Sequence, residues 1–295
     1  MNIFSKIHTL MFTLYGYVLK VSYDVRGHIG LPCLHPDPEK KGNVVVSLTS
    51  YGRRVHKSVV YYTLLSILRQ SQLPDRLILW LDHDNWNENN LPAELKYLRD
   101  HHGVEIRYCE DLRSFKKLIP TLALCPDDIV ITVDDDIIYH RNLVRSLLDR
   151  YKQHPDCVVS MGCLSPCLNK IGRIQKYLKW PLAADGETSL KVFPVGYNAV
   201  LYPPHSLHED VLDQQTFQSL CPYADDIWFW IQAIRKGTQH HCIVDRKIHN
   251  HSFDALYQFV HRGSALMHLN LDAQKNEKQL EACMDHYKMD KSILS

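Results

Sequence analysis

From residue 43 onward, short apolar runs alternate with longer amphipathic stretches. The runs are rich in Val, Ile and Leu, which predicts strands buried on both faces. They lie at 44–48, 76–81, 104–108 and 129–133. The stretches between and after them have apolar residues at helical spacing, at 58–70, 92–101, 114–124 and 141–153, with Pro120 breaking or restarting the third. This alternation predicts an α/β protein whose mixed, mainly parallel sheet is flanked by helices.

The first stretch of the chain, residues 3–21, is also apolar at helical spacing. Only 13 residues separate Lys6 from Lys20, whereas a spanning helix needs about 20 apolar residues. Two interpretations stay open: a helix lying on a membrane surface, or a helix packed on the domain or on a partner. Residues 25–41, with two glycines and three prolines, predict a linker.

Three parts of the chain follow from these patterns. We predict an apolar helix and linker at 1–42, a single domain at 43–253 that continues the strand and helix alternation, and a polar, helical tail at 254–295.

Composition narrows the partners and the compartment. The 295 residues include 34 basic and 33 acidic side chains, so the net charge of +1 gives no overall reason to expect nucleic acid. The nine cysteines show no paired zinc spacing, and an odd number favours reduced thiols. We expect a cytoplasmic protein, with peripheral membrane contact if residues 3–21 lie on a lipid surface.

Three consecutive acids, Asp134, Asp135 and Asp136, follow the apolar run at 129–133. Adjacent carboxylates repel one another, and a bound cation would remove that cost. In extended chain, side chains two apart share a face, so Asp134 and Asp136 can converge on one ion while Asp135 points elsewhere, toward a hydroxyl. Oxygen ligands favour Mg²⁺ or Mn²⁺. The alternative is that these acids cap a helix beginning near His140.

The motifs that follow the first strands indicate which type of ligand site to expect. There is no GxGxxG after the first strand and no GxxxxGK[ST], which argues against dinucleotide and P-loop sites. A strand ending in Ser or Thr, a second ending in Asp and a third ending in an Asp triplet resemble glycosyltransferases of the GT-A fold. These are related to the family 2-like bacterial polysaccharide and glycolipid enzymes.

The resemblance implies a nucleotide-sugar site. Asp136, assisted by Asp134, would hold Mn²⁺ or Mg²⁺ on the diphosphate of a nucleotide-diphosphate sugar. The positions that correspond to nucleotide contacts are Thr49, Tyr51, Arg53 and Asp82. Lys116 and Lys117 stand where basic side chains neutralise phosphate; the alternative for this pair is a solvated helix face.

The second half carries two matching motifs. Gly196 lies between apolar runs, which is useful where backbone approaches a ligand, although a plain bulge explains it equally well. The pair Asp225-Asp226 opens an apolar helix ending at Lys236, where carboxylates also serve as caps. The resemblance implies that Asp226 is the catalytic base of an inverting enzyme, with Asp225 beside it. It also implies that His251 or His249 completes the metal site or touches the diphosphate; the alternative is a structural histidine.

The sequence thus predicts a metal-dependent glycosyltransferase that moves a sugar from a nucleotide-diphosphate sugar to a glycan or glycolipid hydroxyl. A nucleotidyltransferase or metal-dependent phosphoesterase would use the same carboxylate and metal logic, but a second metal cluster or a Gly-rich phosphate loop is not evident. A non-catalytic glycan-binding relative would be expected to lose one acid motif, and both are present here.

Overall fold

An eight-stranded sheet forms the centre of the protein, a computed structural model that describes residues 3–37, 40–56, 59–245, 247–252 and 275–294, with 3–13, 252 and 275 described by backbone alone. The described strands are β1 (Val44–Thr49), β2 (Arg76–Asp82), β3 (Val104–Cys109), β4 (Ile129–Thr132), β5 (Ile137–Ile138), β6 (Val158–Met161), β7 (Cys163–Leu164), β8 (Thr188–Ser189), β9 (Phe193–Pro194), β10 (Val200–Tyr202), β11 (His240–Ile243) and β12 (His251–Ser252).

The order of strands in the sheet is β3-β2-β1-β4-β10-β6-β11-β8. Strands β1 to β4 pair in parallel, and β6 pairs in parallel with β11. Strand β10 is antiparallel to both β4 and β6, so these two run in the same direction. Strand β8 closes the edge in antiparallel pairing with β11. Short pairs β5–β12 and β7–β9 lie outside the large sheet.

Helices connect the strands and cover the sheet. The described α-helices are α1 (Ile3–Arg26), α2 (Arg53–His56), α3 (Val59–Leu68), α4 (Ala93–His102), α5 (Ile119–Leu124), α6 (Leu143–Gln153), α7 (Gln214–Leu220), α8 (Asp225–Lys236) and α9 (Lys275–His286). Short 3₁₀ turns occur at Arg113–Lys117, Tyr177–Lys179, Gly196–Asn198, Glu209–Leu212 and Lys291–Leu294. The predicted α/β fold with a mixed, mainly parallel sheet is confirmed.

The two faces of the sheet bury the two largest apolar clusters of the described residues. In β4, Val130 packs with Phe115 and Trp228 on one side, whereas the next residue, Ile131, packs with Leu48 and Leu64 on the other. Consecutive side chains of a strand point to opposite faces, so a strand covered on both sides must be apolar throughout. This explains why the strands read as continuous apolar runs.

The predicted break at Pro120 is confirmed in its detail. The 3₁₀ turn Arg113–Lys117 ends before Leu118, and α5 begins at Ile119 with the proline in its first turn. Proline is tolerated there because the first backbone N–H groups of a helix have no partner within the helix.

The N-terminal helix packs on the domain along one side. The Tyr62 hydroxyl donates to Asp24 at 2.5 Å, and the Arg69 guanidinium lies over the Tyr23 ring at 5.2 Å. The opposite side exposes Leu14, Val18, Val21 and Val25, between 55 and 79% of each side chain. Within the described residues, no helix is both long and apolar enough to cross a bilayer.

The last described helix, α9, packs against α8 and contributes to the core. Leu280 and Cys283 are completely buried in the same cluster as Trp228. The predicted boundary between the domain and a tail, at 253 and 254, falls among residues 253–274, outside the described part of the chain.

Two helix ends provide a stability prediction. Gly103 ends α4 with φ +69°, and a Cβ there would overlap the backbone carbonyl of Leu34; Gly237 ends α8 with φ +82° and open space around it. Because the left-handed conformation costs an L-residue about 1–2 kcal/mol, Gly237→Ala should lower the free energy of unfolding by that amount. Gly103→Ala should lower it by about 2 kcal/mol more, since backbone must also move. Equal losses in urea denaturation would contradict the close approach at Leu34.

Candidate active site

The carboxyl ends of β1, β2 and β4 lie at one edge of the sheet because the three strands are parallel. Ser50, Asp82 and the acidic triplet 134–136 follow or end these strands, and α8 begins at the same edge with Asp225. Ligands of open α/β sheets bind at this edge. The topology therefore gathers most of the predicted site residues in one region.

One cationic side chain binds the second and third acids of the triplet. The Arg54 guanidinium, in α2, donates to Asp135 at 2.6 Å and to Asp136 at 3.0 Å. Asp135 also accepts from the Ser50 hydroxyl at 2.5 Å. All three charged side chains are mostly buried, with 17% of Arg54, 5% of Asp135 and 10% of Asp136 exposed. Asp135 is thus a fixed anchor for the loop after β1.

A second cation joins the triplet to the acid pair of α8. The Lys117 ammonium lies 3.2 Å from Asp134, 2.9 Å from Asp225 and 3.5 Å from Asp226. Burial opposes the charge of Lys117, but the surrounding carboxylates outweigh it and raise its pKa well above the usual value. The ammonium is therefore permanently charged at neutral pH. The alternative of a solvated helix face is wrong for both Lys116 and Lys117, which are buried.

Asp226 occupies a particular position in this cluster. Its Oδ2 accepts from the Gly196 N–H at 3.0 Å, while 27% of its side chain stays exposed. The pKa of Asp226 is raised to about 6, mainly by burial; Lys117 acts in the opposite direction, and Asp225 and Asp134 add to the rise. A carboxylate with this pKa is mostly ionised at pH 7 and still accepts a proton readily, which suits a general base.

Glycine is required at position 196 by the close approach of the cluster. A Cβ on this residue would overlap Asp226 and would lie 2.9 Å from the Lys117 ammonium. Any larger residue would displace Asp226 or the Lys117 ammonium. The structure therefore gives Gly196 a steric role, which a plain bulge would not require.

Two tyrosines lie beside Asp134, the first acid of the triplet. The Tyr139 hydroxyl accepts from the Asp134 N–H at 2.8 Å and donates to the Tyr197 carbonyl at 3.3 Å. Burial, followed by the charges of Asp136 and Asp134, raises the pKa of Tyr197 to about 12. Both carboxylates thus act on one phenol.

The donor set fits a divalent cation by its charge. Five carboxylates, those of 134, 135, 136, 225 and 226, share the two cations Arg54 and Lys117, which leaves three negative charges. Carboxylate oxygens are the ligands that Mg²⁺ and Mn²⁺ prefer. Of these acids, Asp134 has the most accessible side chain, 34% exposed.

The predicted histidine ligand lies on the short strand β12. His251 pairs with Ile138 through β12, and its ring lies 4.8 Å from that of Tyr15 in α1. Burial lowers the pKa of His251, and His249 and His140 lower it further. In the described part of the chain, the group of His, Cys or acidic side chains that converges tightly enough to hold a metal is another one, His208, Glu209 and Asp210.

That group has a structural explanation. His208 accepts from the Asp210 N–H at 3.2 Å as the cap of a 3₁₀ turn, and Asp210 pairs with Arg235 at 2.8 Å. The predicted trio of Asp134, Asp136 and His251 does not form such a three-ligand group.

The residues predicted to contact the nucleotide surround the ends of β1 and β2. Tyr51 and Arg53 are exposed, whereas the Thr49 hydroxyl donates to the Trp80 carbonyl at 2.9 Å. Asp82 is buried and accepts from the Asn85 N–H at 2.9 Å and from the Asn85 amide at 2.6 Å. Lys116 pairs with Asp111 and lies 4.0 Å from Asp82. Tyr51 and Arg53 are therefore the accessible members of this set.

In the structure, neither acid motif provides a side-chain cap for a helix. Helix α6 begins at Leu143 after Asn142 with no side-chain cap, and α8 follows Ala224 with no side-chain cap either. Asp225 instead accepts from the Ser114 hydroxyl at 2.8 Å. Both acid motifs are engaged in tertiary contacts, although the N-terminus of α8 still favours nearby negative charge.

Sequence reasoning missed Ser50, Arg54 and Tyr139. Arg54 directly follows the predicted Arg53, and only the helical direction of α2 makes the second arginine, and not the first, turn toward the triplet. The Arg53-Arg54 pair was itself a sequence signal that one arginine would form an ion pair with the acidic triplet. Ser50 and Tyr139 carry no sequence signal beyond their proximity to the two motifs.

Comparisons with known proteins add little to this geometry. A scan against protein-family models and a search of curated proteins both gave no match. Among solved structures, the chain is similar to residues 1–349 of S. aureus TarS, with a TM-score of 0.48, 16% identity and coverage of 86% of this chain and 73% of that one. The same TarS fragment in complex with UDP gives a TM-score of 0.47 and 15% identity, covering 85% of this chain and 73% of that one.

A second type of protein is similar to a comparable degree. CMP:2-keto-3-deoxy-manno-octonic acid synthetase complexed with CTP gives a TM-score of 0.44 and 12% identity, covering 79% of this chain and 100% of that one. At these identities and TM-scores, the likenesses carry no argument about activity, ligands or site residues. The function has to be argued from the site itself.

Lys117 provides a test of the cluster that needs no substrate. Lys117→Met would leave three carboxylates without their shared cation, and removal of one partner from a buried ion pair typically costs about 3–5 kcal/mol. We expect a loss of that size in the free energy of unfolding at pH 7, shrinking as the carboxylates become protonated toward pH 4. Lys152→Met, at an exposed lysine, is the control and should change little. Similar stability of the two variants at pH 7 would contradict the buried cluster.

Proposed function

We propose that this protein is a glycosyltransferase that moves a sugar from a nucleotide-diphosphate sugar to a hydroxyl of a glycan or glycolipid. One observation carries the proposal: the triplet after β4 and the acid pair of α8, about ninety residues apart in sequence, meet on the ammonium of Lys117. Donor chemistry needs cations and metal ligands, and acceptor chemistry needs a base. The cluster supplies both within one small region.

The donor side is built from the residues at the ends of β1, β2 and β4. Asp134 and Asp136 would hold Mn²⁺ or Mg²⁺, and the bound ion would neutralise the diphosphate as it leaves. The exposed Tyr51 and Arg53 would contact the nucleotide, with Thr49 and Asp82 shaping the strand ends behind them. Arg54 keeps the triplet in place through Asp135 and Asp136. The role of His251 in this site stays a prediction.

The acceptor side is the exposed part of Asp226. The Gly196 N–H fixes Oδ2, so the carboxylate is held in one orientation and its accessible surface can receive the acceptor hydroxyl. In an inverting reaction, Asp226 would take the proton of that hydroxyl while its oxygen attacks the sugar. Lys117 favours the ionised base, and Asp225 anchors Lys117 and Ser114. Asp225 is thus a positioning residue in this proposal.

Metal dependence is the first test of this function. Asp136→Asn should abolish turnover of a nucleotide sugar in the presence of Mn²⁺. It should lower the melting temperature only modestly, because Arg54 loses one carboxylate partner and keeps Asp135. Asp149→Asn, at an exposed acid in α6, is the control and should keep full activity. Turnover is followed by release of the nucleoside diphosphate from a panel of nucleotide sugars. Full activity in EDTA would overturn the metal site. Release of pyrophosphate in a separate assay, with a nucleoside triphosphate and a sugar phosphate as substrates, would favour a nucleotidyltransferase.

The base assignment is tested by two neighbouring variants. Asp226→Asn cannot accept a proton and should lower kcat by about 10²- to 10⁴-fold, whereas nucleotide binding should barely change. The melting temperature at pH 7 should stay the same or rise, because a carboxylate whose ionisation is disfavoured in the folded state is removed. Asp225→Asn should lose less. For the wild type, log(kcat/KM) should rise with pH and level off above about 6, because Asp226 must be ionised to act.

The stereochemical course decides what Asp226 does. The anomeric configuration of the product, measured by NMR, should be inverted relative to the donor. An inverting enzyme with a fully active Asp226→Asn variant would contradict the base. A retaining enzyme would require another role for Asp226, such as orienting the acceptor.

A further inference from the structure

A surface loop borders the acceptor side of the site and has no role in the chemistry described so far. Residues 165–182 form a loop that begins after β7 and ends where Leu182 forms a bridge with Leu164. Within this segment, named here the 165–182 loop, a second bridge joins Leu168 and Ile174, and Asn169 accepts from the N–H groups of Ile171 and Arg173. The loop is therefore held together by backbone pairing at its base and near its tip.

The loop is strongly basic in a protein with a net charge of only +1. Its four cationic side chains are all exposed, and no Asp or Glu occurs between 165 and 184. The four cations are Lys170, Arg173, Lys176 and Lys179. An excess of this kind on one loop attracts a negatively charged partner by long-range electrostatics.

The same loop exposes large apolar side chains. Ile171 is 74% exposed at the hairpin tip, Leu178 is 75% exposed in the 3₁₀ turn, and Leu182 is 83% exposed at the return. Exposure of three aliphatic side chains next to four cations costs solvation free energy unless a partner covers them. A nucleic acid or an acidic polysaccharide would satisfy the cations alone. A lipid surface with negative headgroups satisfies both.

The loop lies at the edge of the sheet that carries the candidate site. It follows the carboxyl end of β6, which runs in the same direction as β4 because β10 is antiparallel to both. Leu164 pairs with Phe193, three residues before the Gly196 that binds Asp226. The Tyr177 ring packs on Phe193, and the charge of Asp226 contributes to the raised pKa of Tyr177. The loop and the proposed base are thus neighbours.

Helix α1 supports the same orientation independently. Its outer side exposes Leu14, Val18, Val21 and Val25. The ring of Tyr15 touches His251, whose strand pairs with Ile138 just beyond the acidic triplet. Between residues 3 and 23 the chain has two lysines and no acid. One end of this apolar, basic helix therefore lies beside the edge that carries the site.

We infer that the 165–182 loop docks on the surface of an anionic phospholipid bilayer, and that the acceptor hydroxyl belongs to a lipid-linked molecule at that surface. The identity of the acceptor rests on the proposed glycosyl transfer, whereas the docking does not. The cations contact the headgroups, and Ile171, Leu178 and Leu182 enter the interfacial region. The base beside the loop is then held at the height of the headgroups, where a lipid-linked hydroxyl would be presented.

Vesicle binding of the full chain, measured by co-sedimentation without any donor, tests the docking. The wild type should bind vesicles of phosphatidylcholine mixed with phosphatidylglycerol, bind those of phosphatidylcholine alone at least about tenfold more weakly, and be released by salt. Changing the four loop cations to Gln should weaken binding to the mixed vesicles at least about tenfold. The paired substitutions Leu178→Ser and Leu182→Ser should weaken binding and remove the part that resists salt.

Matched controls remove the same charge or apolar surface elsewhere. Lys41, Arg145, Lys152 and Lys236 are exposed positions outside the loop, and their change to Gln removes one Arg and three Lys, as in the loop variant. Leu73→Ser and Leu212→Ser, at side chains that are 39% and 45% exposed, match the apolar pair. Both controls should bind vesicles like the wild type. Circular dichroism of every variant establishes that the fold is retained.

The outcomes separate the docking from the proposed function. Wild-type protein that ignores the anionic vesicles, or a loop variant that binds as well as its matched control, would overturn the docking. A loop variant that changes the oligomeric state and not vesicle binding would assign the surface to a second copy of the chain and overturn it also. Normal vesicle binding with no turnover of any nucleotide sugar would retain the docking and reject the proposed glycosyl transfer. If both hold, the loop variants should lose activity on a lipid-linked acceptor and keep it on a soluble one.

Discussion

The site depends on one buried ammonium group that holds three carboxylates together. Lys117 joins the segment before α5, the triplet after β4 and the start of α8, segments that are distant in sequence. In a poorly solvated region, three like charges without a cation would be strongly unfavourable, and a lone ammonium would be equally so. Each segment is therefore stabilised in its position by the others. The glycine at 196 and the first turn of α8 both serve this contact.

At neutral pH, the charged Lys117 stabilises the folded state, whereas the ionised Asp226 destabilises it. The pKa of Lys117 is raised, so its contribution is complete at neutral pH and is lost only as the pH rises through its folded value, above 10.5. The pKa of Asp226 is raised from 3.8 to about 6, so the folded state holds a proton more tightly than the unfolded state does. Stability therefore falls as the pH rises from about 4 to about 6, by roughly 3 kcal/mol. A group kept ionised at that cost is more easily explained by chemistry than by folding.

The architecture was predictable from sequence, whereas the contacts within the site were not. Runs such as that of β4 are apolar because both faces are covered, and this requirement is visible in the sequence itself. The two acid motifs were identifiable by the cost of adjacent charges. Neither signal states which cation neutralises which acid. That Arg54 and not Arg53 binds the triplet, and that Lys117 is buried, follow from helix direction and from long-range packing, which no local pattern encodes.

A single antiparallel strand explains how the Asp226 carboxylate is oriented. Strand β10 lies between β4 and β6 and runs against both, with Val200 opposite Thr132 and Ser160. Because its direction is reversed, its first residues lie at the edge where its neighbours end, and the turn before it reaches the site. That turn contains Gly196, and Ala199 after it has φ +75°, a conformation that an L-residue adopts only when its surroundings enforce it. A backbone N–H fixed by a strand in the middle of a sheet is a more rigid partner for a carboxylate than a surface side chain would be. The reversed strand thus connects the rigidity of the core directly to the proposed proton acceptor.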